Sequence, residues 1–127
     1  DRKMITNLQE FKVLGDHRGQ LIALESNRQI PFDVKRVFYI YGVTEQRGGH
    51  SHKKTRQALI SIAGSCSIYV NNGVEKTTFL LSKPNQLLLL EPEDWHTMDF
   101  SKDCILLVLA SEHYDKGDYV QEEPKND

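Results

Sequence analysis

The chain is short of most features that would tie it to a membrane, a nucleic acid or a disulfide scaffold. Two cysteines in 127 residues are too few for a disulfide framework. Both Cys66 and Cys104 sit inside apolar runs, where a buried thiol in a reducing setting is the plainer reading. No apolar run approaches the ~20 residues of a membrane span, and Asp1-Arg2-Lys3-Met4 has no signal-peptide core behind it. The 16 basic and 18 acidic residues leave a net charge of -2, so the chain exerts no overall pull on nucleic acid or anionic lipid. An anionic ligand would have to be met by local arginines. A cytoplasmic protein with neither membrane nor nucleic acid as partner fits. No repeat or low-complexity segment appears, and no helical period survives for ten residues. The length predicts one domain over 1–127. The polar stretch from about 121, which contains Pro124, is expected to fray.

What is present is hydrophobic alternation. Gln20–Glu25, Arg36–Tyr41, Ala58–Ala63 and Cys104–Ala110 read as strands rich in β-branched, aromatic and aliphatic residues. Cys66–Val70 and Val74–Leu80 flank Asn71-Asn72-Gly73, a hairpin signal because Asn and Gly tolerate positive φ. Leu87-Leu88-Leu89-Leu90 is an unbroken apolar run too short for a helix, so it reads as a buried strand. Seven or so short strands at close spacing predict an all-β antiparallel sandwich or barrel. Residues 111–119, with His113, Tyr114 and Tyr119, fit either one helical turn or a segment docked on a neighbouring subunit.

The chemistry gathers at Gly49-His50-Ser51-His52. Side chains two apart on a strand share a face, so an extended segment projects His50 and His52 together. Paired imidazoles serve as neutral metal ligands or as an acid/base pair near neutral pH. They can also be two satisfied core histidines. Arg47-Gly48-Gly49 before the pair and Lys53-Lys54 after it make a glycine-rich cationic loop suited to an anionic ligand. Gln57 and Trp95-His96 complete the polar cluster. With His96 a third imidazole, a tri-histidine Zn or Fe site stays open on residue types alone.

The spacing His50-x-His52, four residues, Gln57, six residues, Gly64 resembles the first motif of the cupins, small β-barrels. Glu91-Pro92-Glu93-Asp94-Trp95-His96 resembles the second motif without its usual glycine. The upstream glycine of the first motif fits only with an insertion. Gln57 stands where metal cupins place a carboxylate, and an amide is a poor transition-metal ligand. A closer resemblance comes from four runs in order: Asp16-His17-Arg18-Gly19, Ile30 to Ile40, Arg47 to Lys54, and Val108 to Asp115. Together they resemble the nucleotide-sugar 3,4-ketoisomerases, the dTDP-4-oxo-6-deoxyglucose 3,4-oxoisomerase family.

That resemblance implies a cupin-like jelly roll, a homodimer, no metal and no cofactor. It implies an isomerase that turns a dTDP-linked 4-oxo-6-deoxy sugar into its 3-oxo isomer, feeding amino-sugar synthesis for surface glycans. It implies His50 as the base that takes the C3 proton and His52 as a proton shuttle or enediolate stabiliser. Arg47 and Arg36 would hold the diphosphate, beside Gln57 and Phe38 in the substrate pocket. Members making the galacto product resemble this chain in carrying Arg at the place of Arg18 and His at that of His96. Members making the gluco product tend to carry Tyr and Arg. The family commonly has Tyr at the place of Phe38, and Tyr39, one residue on, points to the other face of a regular strand. A 3,5-epimerase of the same pathway, or a non-catalytic sugar- or metal-binding cupin, are the competing readings.

Overall fold

The structure is a computed structural model that describes residues 8–127. Among the described residues the strands run in the order β1 (Leu8–Glu10), β2 (Leu14–Asp16), β3 (Gly19–Leu21), β4 (Arg36–Ile40), β5 (Arg47–His52), β6 (Gln57–Ala63), β7 (Cys66–Asn71), β8 (Lys76–Leu81), β9 (Gln86–Leu90), β10 (Trp95–Phe100), β11 (Ile105–Ala110) and β12 (Tyr119–Val120). One 3₁₀ turn, Lys116–Asp118, precedes β12. One five-stranded sheet has the order β1-β9-β6-β11-β4 and the other β12-β5-β10-β7-β8. Every ladder is antiparallel. Hairpin β2-β3 stands apart from both sheets.

The two sheets differ in how their outer faces are used. Leu59, Leu88, Leu90, Leu106 and Val108 of the first sheet meet Cys66, Ile68, Val70, Leu81 and Met98 of the second in one buried cluster. The opposite face of the first sheet is buried too. Ala58, Ile60, Leu87, Leu89 and Leu109 pack there under Ile30 and Phe32. A strand covered on both sides has no polar face to alternate with, which is why Leu87–Leu90 is apolar at every step. The second sheet covers only one face and keeps the period-two pattern, with Cys66, Ile68 and Val70 inward and Ser67 and Tyr69 half-buried outward.

Three expectations change on folding. Of the strand read at Gln20–Glu25, only the part to Leu21 pairs, within β3. Leu24 instead leaves the ladder and packs against the outer cluster. Glu91–His96, read as a turn ending in a histidine, runs into a full strand, Trp95–Phe100, between β5 and β7. The glycine-rich Arg47–Gly49 stretch, read as a loop, lies in β5. The two thiols are buried and unpaired with each other. No helix among the described residues is long and apolar enough to cross a membrane. The polar segment after β12 lies along the second sheet. Tyr69 Oη and Asn71 Nδ2 donate to Glu123 at 2.7 and 2.9 Å, and Trp95 Nε1 donates to the Gln121 carbonyl at 3.0 Å.

Candidate active site

Strand β5 carries a bulge where it meets β10. His50 pairs with His96, yet Gly48 pairs with Thr97, so Gly49 is the extra residue. Gly48 and Gly49 take φ of +95° and +80°, values that L side chains avoid. Gly48 has a second constraint. A Cβ there would stand 2.8 Å from the His96 carbonyl oxygen and 3.1 Å from Thr97 Cα. Two glycines are needed here to bend the strand and aim His50.

The far wall of His52 is set by the turn before β10. Glu91 N–H donates to Asp94 Oδ2 at 2.8 Å, and Glu93, at φ +74°, donates its N–H to the His52 carbonyl at 2.9 Å. Arg56 braces the same turn through a two-pronged bond to Glu91, at 2.7 and 2.9 Å, and a 2.7 Å bond to the Pro31 carbonyl. The pair is half-buried, and its planar geometry is the strong form of ion pair.

Three imidazoles result. Ring centres of His50 and His52 lie 5.2 Å apart, those of His50 and His96 5.0 Å, and those of His52 and His96 6.2 Å. They are not equivalent. His52 is 5% exposed and His96 2%, whereas His50 is half-buried and opens onto a cavity. Burial pushes His96 down to about 3, against the pull of its bond to the Asp94 carbonyl. That carbonyl can only accept, so the bond at 3.0 Å puts the ring proton on Nδ1 and leaves Nε2 a lone pair. Burial first, and then His50, push His52 down to about 4, while the Asp118 carboxylate raises it. Burial also lowers His50, partly offset by a bond to the Gly48 carbonyl. All three rings are therefore neutral at neutral pH. A neutral imidazole with a free nitrogen is a base.

The cavity holds about 400 Å³, within the range of small-ligand sites. It opens between the two sheets. His50, Arg47, His96 and Met98 line one side, and Arg36, Phe38, Gln57 and Leu59 the other. Six of the eight residues expected from sequence thus meet at one cavity. His52 lies behind His50, sealed from solvent. Arg36 lays its guanidinium over Phe38 at 4.4 Å and over Tyr114 at 5.1 Å, which holds a cation at the rim of the cavity. Phe38 lines the cavity; Tyr39, which also borders it, is 64% exposed and stacks on Tyr41.

Arg18 is the residue that does not join. It sits in the two-residue turn of hairpin β2-β3, where Asp16 accepts its N–H at 2.8 Å and its guanidinium. With its neighbours in the hairpin it lines a separate groove. Tyr119 is the residue that sequence reasoning left without a role. It lines the cavity and packs on the histidines. The available signal was Asp115-Lys116-Gly117-Asp118, a turn sequence that delivers an aromatic residue. Among the described residues, no three His, Cys, Asp or Glu side chains are arranged to hold a metal ion.

Comparison with known proteins agrees with this geometry. The family described as FdtA, WxcM-like, C-terminal matches residues 4–125. A curated protein of Aneurinibacillus thermoaerophilus named TDP-4-oxo-6-deoxy-alpha-D-glucose-3,4-oxoisomerase is 44% identical over 115 residues, 88% of this chain and 83% of its own. Two crystal structures of the QdtA 3,4-ketoisomerase from Thermoanaerobacterium thermosaccharolyticum superpose with a TM-score of 0.87, each covering 94% of this chain and 90% of theirs. One, 44% identical, is a double variant with Tyr replaced by Arg and Arg by His, bound to TDP. The other, 41% identical, has a His replaced by Asn and holds TDP-4-keto-6-deoxyglucose. The sandwich is thus the cupin-like jelly roll that the resemblance implied.

Proposed function

The chain belongs to the FdtA family of WxcM-like, C-terminal proteins, and from that premise we propose that it is a TDP-sugar 3,4-ketoisomerase acting on TDP-4-oxo-6-deoxyglucose. One observation carries the reading. His50 and His96 both line the cavity, His50 is the more exposed of the two, and the buried neutral His52 stands beside His50.

Moving a ketone from C4 to C3 needs a base for the C3 hydrogen. His50 takes that proton and becomes imidazolium. The C3–H electrons form the C3–C4 double bond, and the C4 carbonyl pair moves to oxygen. The enediolate then collapses: the C3 hydroxyl proton passes to the C4 oxygen, a C3 carbonyl forms, and the C3–C4 double-bond pair takes up at C4 the proton that the imidazolium carries. No electrons leave the sugar, so the step balances without an oxidant or reductant. His52 and His96, uncharged, accept the imidazolium beside them at less cost than cationic neighbours would, and His52 relays a proton behind it. Arg47 and Arg36 supply positive charge for the diphosphate and the developing oxyanion. Gln57 contributes an amide at the floor and Phe38 an apolar wall.

His96 and Arg18 enter as the pair that selects the galacto product. The QdtA double variant introduces the same two residue types, Arg and His, which supports treating them as matched. For Arg18 to take part, its hairpin must reach a cavity it does not reach within one chain. Every residue of β2 and β3 is exposed, including Leu14 at 47% and Leu21 at 56%. The homodimer implied by the resemblance gives that apolar hairpin a surface to cover and brings Arg18 to a second copy's cavity. Two free buried thiols suit a reducing cytoplasm.

The test is an incubation with TDP-4-oxo-6-deoxyglucose in D2O, followed by NMR of the sugar. A C3 ketone with deuterium at C4 is the expected result. Exchange at C5 instead would make the protein a 3,5-epimerase, and no exchange at all would leave only binding.

A further inference from the structure

Tyr119 stands edge-on to two of the three imidazoles, its ring centre 4.7 Å from His50 and 4.6 Å from His52. It also lines the cavity. The strand that presents it is only two residues long, with Tyr119 opposite His52 and Val120 opposite Ser51. So short a strand cannot hold its own register. What holds it lies one residue upstream.

Asp118 is 3% exposed, and its carboxylate is fully engaged. Lys54 N–H donates to Oδ1 at 2.7 Å, and Thr55 donates to Oδ2 through both its N–H and its hydroxyl. The Asp118 carbonyl accepts the Lys53 N–H at 2.9 Å. Asp115 caps the turn by accepting the Gly117 N–H at 2.9 Å. All three donors to the carboxylate belong to Lys54 and Thr55, in the connection that follows His52 directly. A buried carboxylate bonded this way cannot be displaced without stranding a charge. The latch therefore ties the approach of Tyr119 to the segment that carries the histidines.

We propose that Tyr119 is a positioning residue that fixes the orientation of His50 and His52 with its ring, and that Asp118 is the latch that keeps Tyr119 there. The inference rests on the reading of His50 as the base. The ring restricts His50 to the rotamer that faces the cavity and closes the gap through which water would reach the pair. Aromatic edge-to-face packing is the interaction that does this. The hydroxyl is not required.

The experiment compares kcat and KM for Tyr119→Leu, Tyr119→Phe, Asp118→Asn and the Tyr119→Leu/Asp118→Asn double variant, with His50→Asn as reference. Loss of the ring is expected to lower kcat about tenfold or more with KM changed less than about threefold, as a misdirected base does. Tyr119→Phe should recover most of that loss. Asp118→Asn should lower kcat in the same way and add little in the double variant, because both act through one ring. The His50 imidazole NMR signals should shift in Tyr119→Leu and not in Tyr119→Phe.

Wild-type kcat in Tyr119→Leu overturns the proposal. So does a Tyr119→Phe variant as slow as Tyr119→Leu, which would assign the effect to the hydroxyl. Additive losses in the double variant overturn the latch. If Tyr119→Leu does not fold, Asp118→Asn decides alone: a wild-type kcat and unmoved His50 signals refute the arrangement. If His50→Asn itself turns over at the wild-type rate, the reading of the base fails, which is a different result from any of these.

Discussion

The strand-built cavity and the N-terminal hairpin both carry residues expected to act, yet they treat those residues differently. His50 and His96 are each fixed by ladders, β5 between β12 and β10, and β10 between β5 and β7. Their spacing in the chain therefore translates into a defined place. Arg18 is held only by its own hairpin and by Asp16, with its side chain 79% exposed. Among the described residues, nothing beyond the hairpin directs it. A residue locked in a sheet can be placed from sequence periodicity. A residue on an exposed hairpin is named by resemblance but placed only by what the hairpin packs on.

The comparison breaks most sharply at the bulge. Gly48→Ala puts a Cβ against the His96 backbone at an unfavourable φ, and should cost about 2–3 kcal/mol by denaturant melts and lower kcat about tenfold or more. Gly49→Ala shares the positive φ but meets nothing within 4 Å. It should cost about 1 kcal/mol. Equal costs would remove the close approach as the cause.

Acid is the next probe. Burial holds His52 at about 4 and His96 at about 3, below the unfolded value near 6.5. The unfolded chain then binds protons that the fold refuses, so stability is complete above about 6.5 and is lost as pH falls toward those lowered values. Between pH 7.5 and 5 each ring should cost about 2 kcal/mol. Thermal melts flat down to pH 5 would contradict the burial of these imidazoles as neutral groups. Activity has the same sign: kcat/KM should fall on the acid side with a midpoint below 6.5, because burial lowers His50 as well.

The hairpin predicts the smallest effect on stability and a distinct one on product. Arg18→Ala should shift Tm by less than about 2 °C, since an exposed pair contributes little. Arg18→Tyr with His96→Arg should tilt the product from galacto toward gluco, read by NMR at C4. An unchanged C4 configuration would sever Arg18 from the site.

Much of this was legible in the residues. The His50-x-His52 spacing gave the imidazole pair, and the apolar runs gave most of both sheets. Leu87–Leu90 was read as buried, though only the second cluster under Ile30 and Phe32 explains its lack of alternation. Strand β10 was hidden because polar Trp95-His96-Thr97 resembles a turn next to Pro92, although His96 and Met98 do alternate inward. Tyr119 was not legible: a two-residue strand has no periodicity, and its hold on the histidines comes from Asp118 meeting a segment about 63 residues away in sequence. Long-range clamps of this kind leave no local pattern.

The central claim is that His50 takes the C3 proton. The direct measurement is His50→Asn given TDP-4-oxo-6-deoxyglucose in D2O, with sugar binding recorded beside the NMR time course. Binding should be nearly intact, and deuterium incorporation at C4 should slow by on the order of 10²–10⁴-fold. Incorporation at the wild-type rate by a variant that still binds the sugar would contradict it.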